Sequence, residues 1–250
     1  QNDLKLSSEE ILTAIENLKK RDGRVFNKSF IVKRSAKAPK EMLKALTQLS
    51  SYIYDSLMGG HSIWIAQKEG RAKDGFDQTD PALLKMLQLN GRKQKKEFGE
   101  YIKELKVVPV SISYQYEPCA IAKAKELYHK QQHGEYVKSV GEDILSIVEG
   151  FSTAKGHVHL AFGQPIESQC DSAEELANTI DQQIIDSFYL HPGNYIAGGC
   201  KESVINSPDT ATFEQRIAQV PEELKPLVLA MYAKPFHRKA QINVKSPESL

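Results

Sequence analysis

Residues 107–114 read VVPVSISY, and the assignment of this stretch decides the fold class. Apolar and β-branched residues dominate it, which predicts a strand, and Pro109 marks a bulge or a local break in pairing. On its N-terminal side Phe98, Tyr101, Ile102 and Leu105 recur at helical spacing. On its C-terminal side two helical stretches, near 120–130 and 135–149, lead to residues 156–163, GHVHLAFG, which read as another strand. Helix and strand patterns therefore alternate around this point.

The alternation continues outward. Pro39 suits the first turn of a helix that turns Met42, Leu43, Leu46, Leu49, Tyr52, Ile53 and Leu57 inward and closes at Gly59 and Gly60. Residues 61–67, HSIWIAQ, read as a buried strand, residues 68–80 as the loop at its C-terminal end, and Pro81 as the opening of a helix with Leu83, Leu84 and Leu87. Nearer the N-terminus, Ser7 and Glu10 form a capping-box pattern, and Ile11, Leu12, Ile15 and Leu18 follow at helical spacing before Asp22 and Gly23. Residues 25–32, VFNKSFIV, read as a strand that delivers Lys33 and Arg34 at its end. Towards the C-terminus, Ser172 and Glu175 cap a helix carrying Leu176, Ile180, Ile184 and Phe188, and a shorter helix lies near 221–232. The expectation is an α/β fold, a mixed sheet flanked by helices, with site loops at the carboxyl ends of strands. The pattern treats 1–250 as a single domain whose part from 171 to 250 is helical, with no repeat and no interdomain linker.

Composition narrows the function classes. Apolar residues make up 40% of the 250 and charged residues 26%, which is globular usage. Lys and Arg number 33 against 32 acids, so the net charge of +1 gives no global field for nucleic acid and any anion site is local. Cys119, Cys170 and Cys200 are odd in number, far apart and not in metal-type pairs, which predicts a reducing, cytoplasmic setting. No window approaches the ~20 apolar residues of a spanning helix, and QNDLKLSSEE is no signal peptide, while attachment to a membrane surface stays open.

Two basic segments follow apolar ones. In residues 67–75, QKEGRAKDG, three cations and two glycines come directly after the apolar run holding Trp64. Arginine offers a planar fork to phosphate oxygens, lysine adds a point charge, and glycine lets backbone N–H groups approach an anion; a solvated turn is the competing reading. Lys33 and Arg34 stand in the same relation to residues 25–32, and two such loops in one α/β domain converge readily on one phosphorylated ligand.

The order of these segments carries a resemblance. VFNKSFIVKR (25–34) resembles the acyltransferase motif in which an apolar strand ends in an arginine near the acyl acceptor. IAQKEGRAKDG (65–75) resembles the Glu-Gly-Thr-Arg-Ser motif with its following Asp-Gly, and VVPVSISY (107–114) resembles the later block with a Val-Pro-Val step. Over residues 25–162 the chain thus resembles the glycerolipid acyltransferase superfamily, of the glycerol phosphate or lysophosphatidate O-acyltransferase kind. The resemblance implies transfer of a fatty acyl group from an acyl thioester, acyl-CoA or acyl carrier protein, to a hydroxyl of a phosphate-bearing glycerolipid acceptor, with no cofactor and no metal. It also implies substrate-binding roles for Arg34, Lys68, Glu69, Gly70 and Arg71, and a place on the cytoplasmic face of the membrane. Two departures stand out: no threonine separates Gly70 from Arg71, and Lys68 occupies a place where proline is common.

The superfamily's catalytic pair is a histidine with an aspartate five positions later, upstream of the first segment. Only 24 residues precede Val25, none of them histidine, and none of the seven histidines in the chain has an aspartate five positions on. No catalytic residue is therefore assigned, and the domain is expected to be N-terminally incomplete. The alternative is a non-catalytic phosphate or phospholipid-binding module that retains only the acceptor site. His61, at the start of the 61–67 run, reads as structural or surface; His157 and His159 share a strand face at a spacing compatible with a metal but lack companion ligands, and Cys119 lacks a paired histidine.

Overall fold

The computed structural model describes residues 38–68, 72–139, 141–167 and 170–245. The helix expected from Ser7 and the strand expected over 25–32 lie outside these residues. Helix α1 (Pro39–Met58) starts with proline in its first turn, where a missing N–H costs nothing, and ends at Gly59, whose N–H returns to Asp55 O. Helices α2 (Pro81–Leu87), α3 (Leu89–Lys93) and α4 (Phe98–Leu105) follow, the first capped by Asp80 accepting from Ala82 N. Strand β1 (Val110–Tyr114), helices α5 (Ala120–His133) and α6 (Glu142–Ser152) and strand β2 (Val158–Phe162) come next. The remainder is helical: α7 (Ala173–Ser187), α8 (Pro192–Ala197), a 3₁₀ turn (Lys201–Val204), α9 (Pro208–Ala218) and α10 (Lys225–Lys245). Among the described residues no helix is long and apolar enough to cross a membrane.

The expected mixed sheet needs correction. The described residues are mostly helical, with one two-stranded antiparallel sheet, in register Val110↔Phe162, Ile112↔Leu160 and Tyr114↔Val158. Residues 61–67 are not a strand: they run as irregular chain with Trp64 and Ile65 exposed. An apolar, β-branched run becomes a strand only by pairing its backbone, and no described strand lies beside this one. The other differences are smaller. The helix expected over 135–149 forms as α6, later in the chain, after Gly141 at φ +87°. The helix expected near 221–232 starts at Lys225 and continues to Lys245 through Pro235. Pro109 stands just before β1, and its carbonyl accepts from Gly163 N at 2.8 Å.

The larger core gathers Ile53 of α1, Leu84 and Leu87 of α2, Tyr101 and Ile102 of α4, and Leu176 and Ile180 of α7. Polar groups inside it are paired, as burial demands: Ser50 Oγ donates to Leu87 O at 2.6 Å and accepts from Asn90 N at 3.0 Å. A second core joins Ala124 of α5, Phe213 of α9, and Leu224, Val228 and Tyr232 at α10. There the Tyr232 hydroxyl accepts from Glu117 N at 2.8 Å, and burial pushes its pKa up to about 12.

Candidate functional site

The loop that follows residues 61–67 is closed and clamped. Its ends meet where Asp80 N donates to Gln67 O at 2.9 Å. Beside that closure, Thr79 donates from both its backbone N and its hydroxyl to Asp181 Oδ1 of α7, at 2.8 and 2.6 Å. Asp181 is buried, and Arg238 of α10 stands 4.0 Å from its other oxygen. The same guanidinium donates to Asp77 O and lies over the Phe76 ring, 4.6 Å from its centre.

Two further contacts fix the arc between. Asp74 accepts from Phe76 N at 3.0 Å in a tight local turn, and Gly75 sits at φ +77° against α10. A Cβ on Gly75 would stand 2.3 Å from Met231 O, so the position takes only glycine without rearrangement. Lys73 reaches α5, where its ammonium pairs with Glu126. Burial opposes ionisation of that carboxyl, but hydrogen bonds from Lys73 and Lys130 outweigh it and hold it below the usual carboxylate range.

The sequence-assigned residues fall unevenly on this frame. Lys68 is described and exposed, one residue beyond the loop's closure at Gln67. Arg34, Glu69, Gly70 and Arg71 lie outside the described residues. Lys73, one of the three cations in the basic run, is turned inward to Glu126 and is structural. In chain order, Lys68 to Arg71 are bracketed by two anchored points, Gln67 and Lys73.

A second constellation lies on the inner face of the sheet. His191, 2% exposed, starts α8, and Asn194 Oδ1 accepts from its backbone N at 2.8 Å. Its ring centre stands 5.4 Å from His157 and 4.8 Å from Tyr189, and Tyr189 stands 5.3 Å from His159. Burial lowers the His191 pKa, a backbone hydrogen bond at Ser113 opposes this, and His157 and His159 lower it further. His191 is thus neutral and structural at neutral pH. His159 Nδ1, His191 Nε2 and the hydroxyls of Ser111 and Ser113 are buried without a protein partner. Among the described residues no group of three or more His, Cys, Asp or Glu side chains is arranged to hold a metal. Sequence reading singled out His157 and His159 and missed Tyr189 and His191, whose only signal is the Tyr-Leu-His-Pro run at the end of a helical pattern.

Tyr189 also borders a cleft of about 630 Å³ lined by Phe188, Tyr195, Glu202, Ile205 and Lys239. Lys239 closes one wall by donating to Asp186 O and Phe188 O, at 2.9 and 2.8 Å, at the carboxyl end of α7. Its chain neighbour Arg238 faces the clamped loop, so α10 is a wall common to both. Comparison with known protein families, with curated proteins and with solved structures finds no match to this chain.

Proposed function

We propose that the loop of residues 67–80 holds the phosphate of an acyl acceptor, in a protein that passes a fatty acyl group from acyl-CoA or acyl carrier protein to a hydroxyl of glycerol phosphate or lysophosphatidate. The observation that carries this is the clamping of the loop by three separate helices through Glu126, Asp181, Met231 and Arg238. A solvated turn has no need of a buried carboxylate at its neck or of a glycine sealed against a helix backbone. A loop that must present Lys68 and Arg71 at a fixed place does, because orientation of a bound reactant contributes much of the rate in acyl transfer. The Asp-Gly step of the acyltransferase-like motif, Asp74 and Gly75, makes two of the contacts that set the loop's shape.

In the reaction, the acceptor oxygen bonds to the thioester carbonyl carbon, the C–S bond breaks, and the departing sulfur takes up the proton that the hydroxyl loses. Lys68 and Arg71 would neutralise the acceptor's phosphate, and Arg34 would join them from the first motif. The histidine and aspartate that would move the proton have no counterpart in these 250 residues. The share assigned to this chain is therefore the holding of the acceptor, at a membrane surface where the acceptor is a lysophospholipid.

Titration calorimetry with glycerol phosphate and lysophosphatidate tests the site. Arg71→Ala is expected to weaken binding about tenfold or more, the loss of one charge-assisted fork. Unchanged affinity removes Arg71 from the site, and no binding by the parent chain overturns the proposal. Binding without acyl transfer from labelled acyl-CoA would restrict the chain to a phosphate or phospholipid-binding module.

A further inference from the structure

The cleft beside α8 combines aromatic rings with two charges that do not meet. Three rings line it: Phe188 and Tyr189 from the turn after α7, and Tyr195 from α8. Two of them are held from behind. Tyr195 meets the Phe236 ring edge-on, 5.5 Å between centres, and Tyr189 packs on His157, His159 and His191. Tyr189 is nevertheless 47% exposed, so part of an anchored ring stays open.

Charge completes the lining. Lys239 donates to Asp186 O and Phe188 O, which fixes its ammonium in place and leaves one of its three protons uncommitted. Among the described residues neither Lys239 nor Glu202 has an ion-pair partner; Lys201, beside Glu202 in the chain, pairs with Glu214. Ser207 adds a hydroxyl whose oxygen accepts from Asp209 N at 3.3 Å and whose proton remains to be donated. Two opposite charges left apart in one cleft suit a ligand that carries both.

The rings decide which kind of cation. A primary ammonium must give its three protons to acceptors, and Glu202 is the one anionic group in the lining. A quaternary ammonium has no proton to satisfy and is attracted by ring faces, which this lining supplies. The volume of about 630 Å³ lies within the roughly 300–1,000 Å³ of small-molecule sites.

We infer that this cleft binds a zwitterion of the phosphocholine type. Its quaternary ammonium lies against Phe188, Tyr189 and Tyr195 with Glu202 beside it, and its phosphate takes the free donors of Lys239 and Ser207. Free phosphocholine and the headgroup of a lysolipid offer the same chemistry. No residue of the cleft belongs to the loop of residues 67–80, so the inference does not depend on the acyl-transfer reading.

Titration calorimetry of the full chain with phosphocholine tests it. A Kd of about 1 mM or tighter is expected, with choline and inorganic phosphate each bound about tenfold more weakly, because each engages half of the cleft. Phosphoethanolamine is expected to bind about threefold more weakly or worse, having no methyl groups to set on the rings. Glu202 is exposed, so Glu202→Gln probes the cleft without disturbing either core; it and Tyr189→Leu should each weaken phosphocholine about threefold or more. No binding at ~10 mM, or unchanged affinity in both variants, overturns the inference. Choline bound as tightly as phosphocholine removes the role of Lys239, and phosphoethanolamine bound as tightly removes that of the rings; each also overturns it. Hexylphosphocholine identifies the source: tighter binding than phosphocholine assigns the cleft to a lipid headgroup, equal or weaker binding assigns it to the free molecule, and both results uphold the site.

Discussion

Gly75→Ala separates a clamped loop from an ordinary one, and Gly60→Ala supplies the reference. Both glycines have left-handed backbone, at φ +77° and +82°, so alanine at either is strained by about 1–2 kcal/mol. Their surroundings differ: a Cβ on Gly60 meets nothing within 4 Å, whereas one on Gly75 stands 2.3 Å from Met231 O and 3.0 Å from Met231 Cα. Those atoms belong to the backbone of α10 and cannot swing aside as a side chain would. Overpacking of this kind adds about 1–3 kcal/mol, for a total of about 2–5 kcal/mol at Gly75. For a domain of this size that lowers Tm by roughly 4–20 °C, against roughly 2–8 °C for Gly60→Ala. Urea unfolding followed by circular dichroism measures both variants, and calorimetry on the folded Gly75→Ala protein is expected to show weakened acceptor binding. The reasoning is refuted if the two variants agree within about 0.5 kcal/mol, since the clash with Met231 would then contribute nothing.

Two pH-dependent effects follow from the buried groups. His191 is held below its ordinary value of 6.5, so the unfolded chain takes up a proton there before the folded one does. Stability from its neutral ring is full above 6.5 and falls as acidification passes that value, and urea midpoints between pH 8 and 5 are expected to decline more steeply in the parent than in His191→Gln; parallel curves would refute this. Glu126 behaves in the sense usual for a paired carboxylate, its pKa lying below the ordinary 4.5. Its contribution is present above that value and lost as pH falls through the lower folded pKa, so the stability gap between the parent and Glu126→Gln should narrow below pH ~4.5, and a gap that widens there would count against the Lys73 pairing.

Local signals in the chain were readable and were met by the structure. Pro39 starts α1, Pro81 starts α2, Ser172 caps α7 by accepting from Glu175 N at 3.1 Å, and residues 107–114 and 156–163 hold β1 and β2. Each of these is decided within a turn of helix or a few residues of strand. The run 61–67 misled because strand propensity describes a residue's fit to a pleated surface and says nothing of whether a partner is there. That Ser111 and Ser113 are buried while Leu160 and Phe162 are exposed was illegible for a related reason: alternation marks two faces without saying which one a neighbouring layer covers.

The candidate site divides the same way. The basic run was legible from its position after an apolar run and from its cations and glycines, the residue types a phosphate site would use. The anchoring of its described residues was not, because the contacts come from far along the chain: Asp181 is 102 residues from Thr79, Arg238 is 161 from Asp77, and Glu126 is 53 from Lys73. Tyr189 and His191 were missed for that reason too, as they meet His157 and His159 only when the chain after α7 folds back on the sheet. By itself, then, the sequence determined where most of the described helices start and where cations and glycines gather after an apolar run, since those depend on neighbours in the chain. Tertiary structure alone decided that Lys73 turns inward to Glu126, that Gly75 is sealed against α10 and which described residues of the sheet are exposed, because each depends on the backbone and charge that distant helices bring against it.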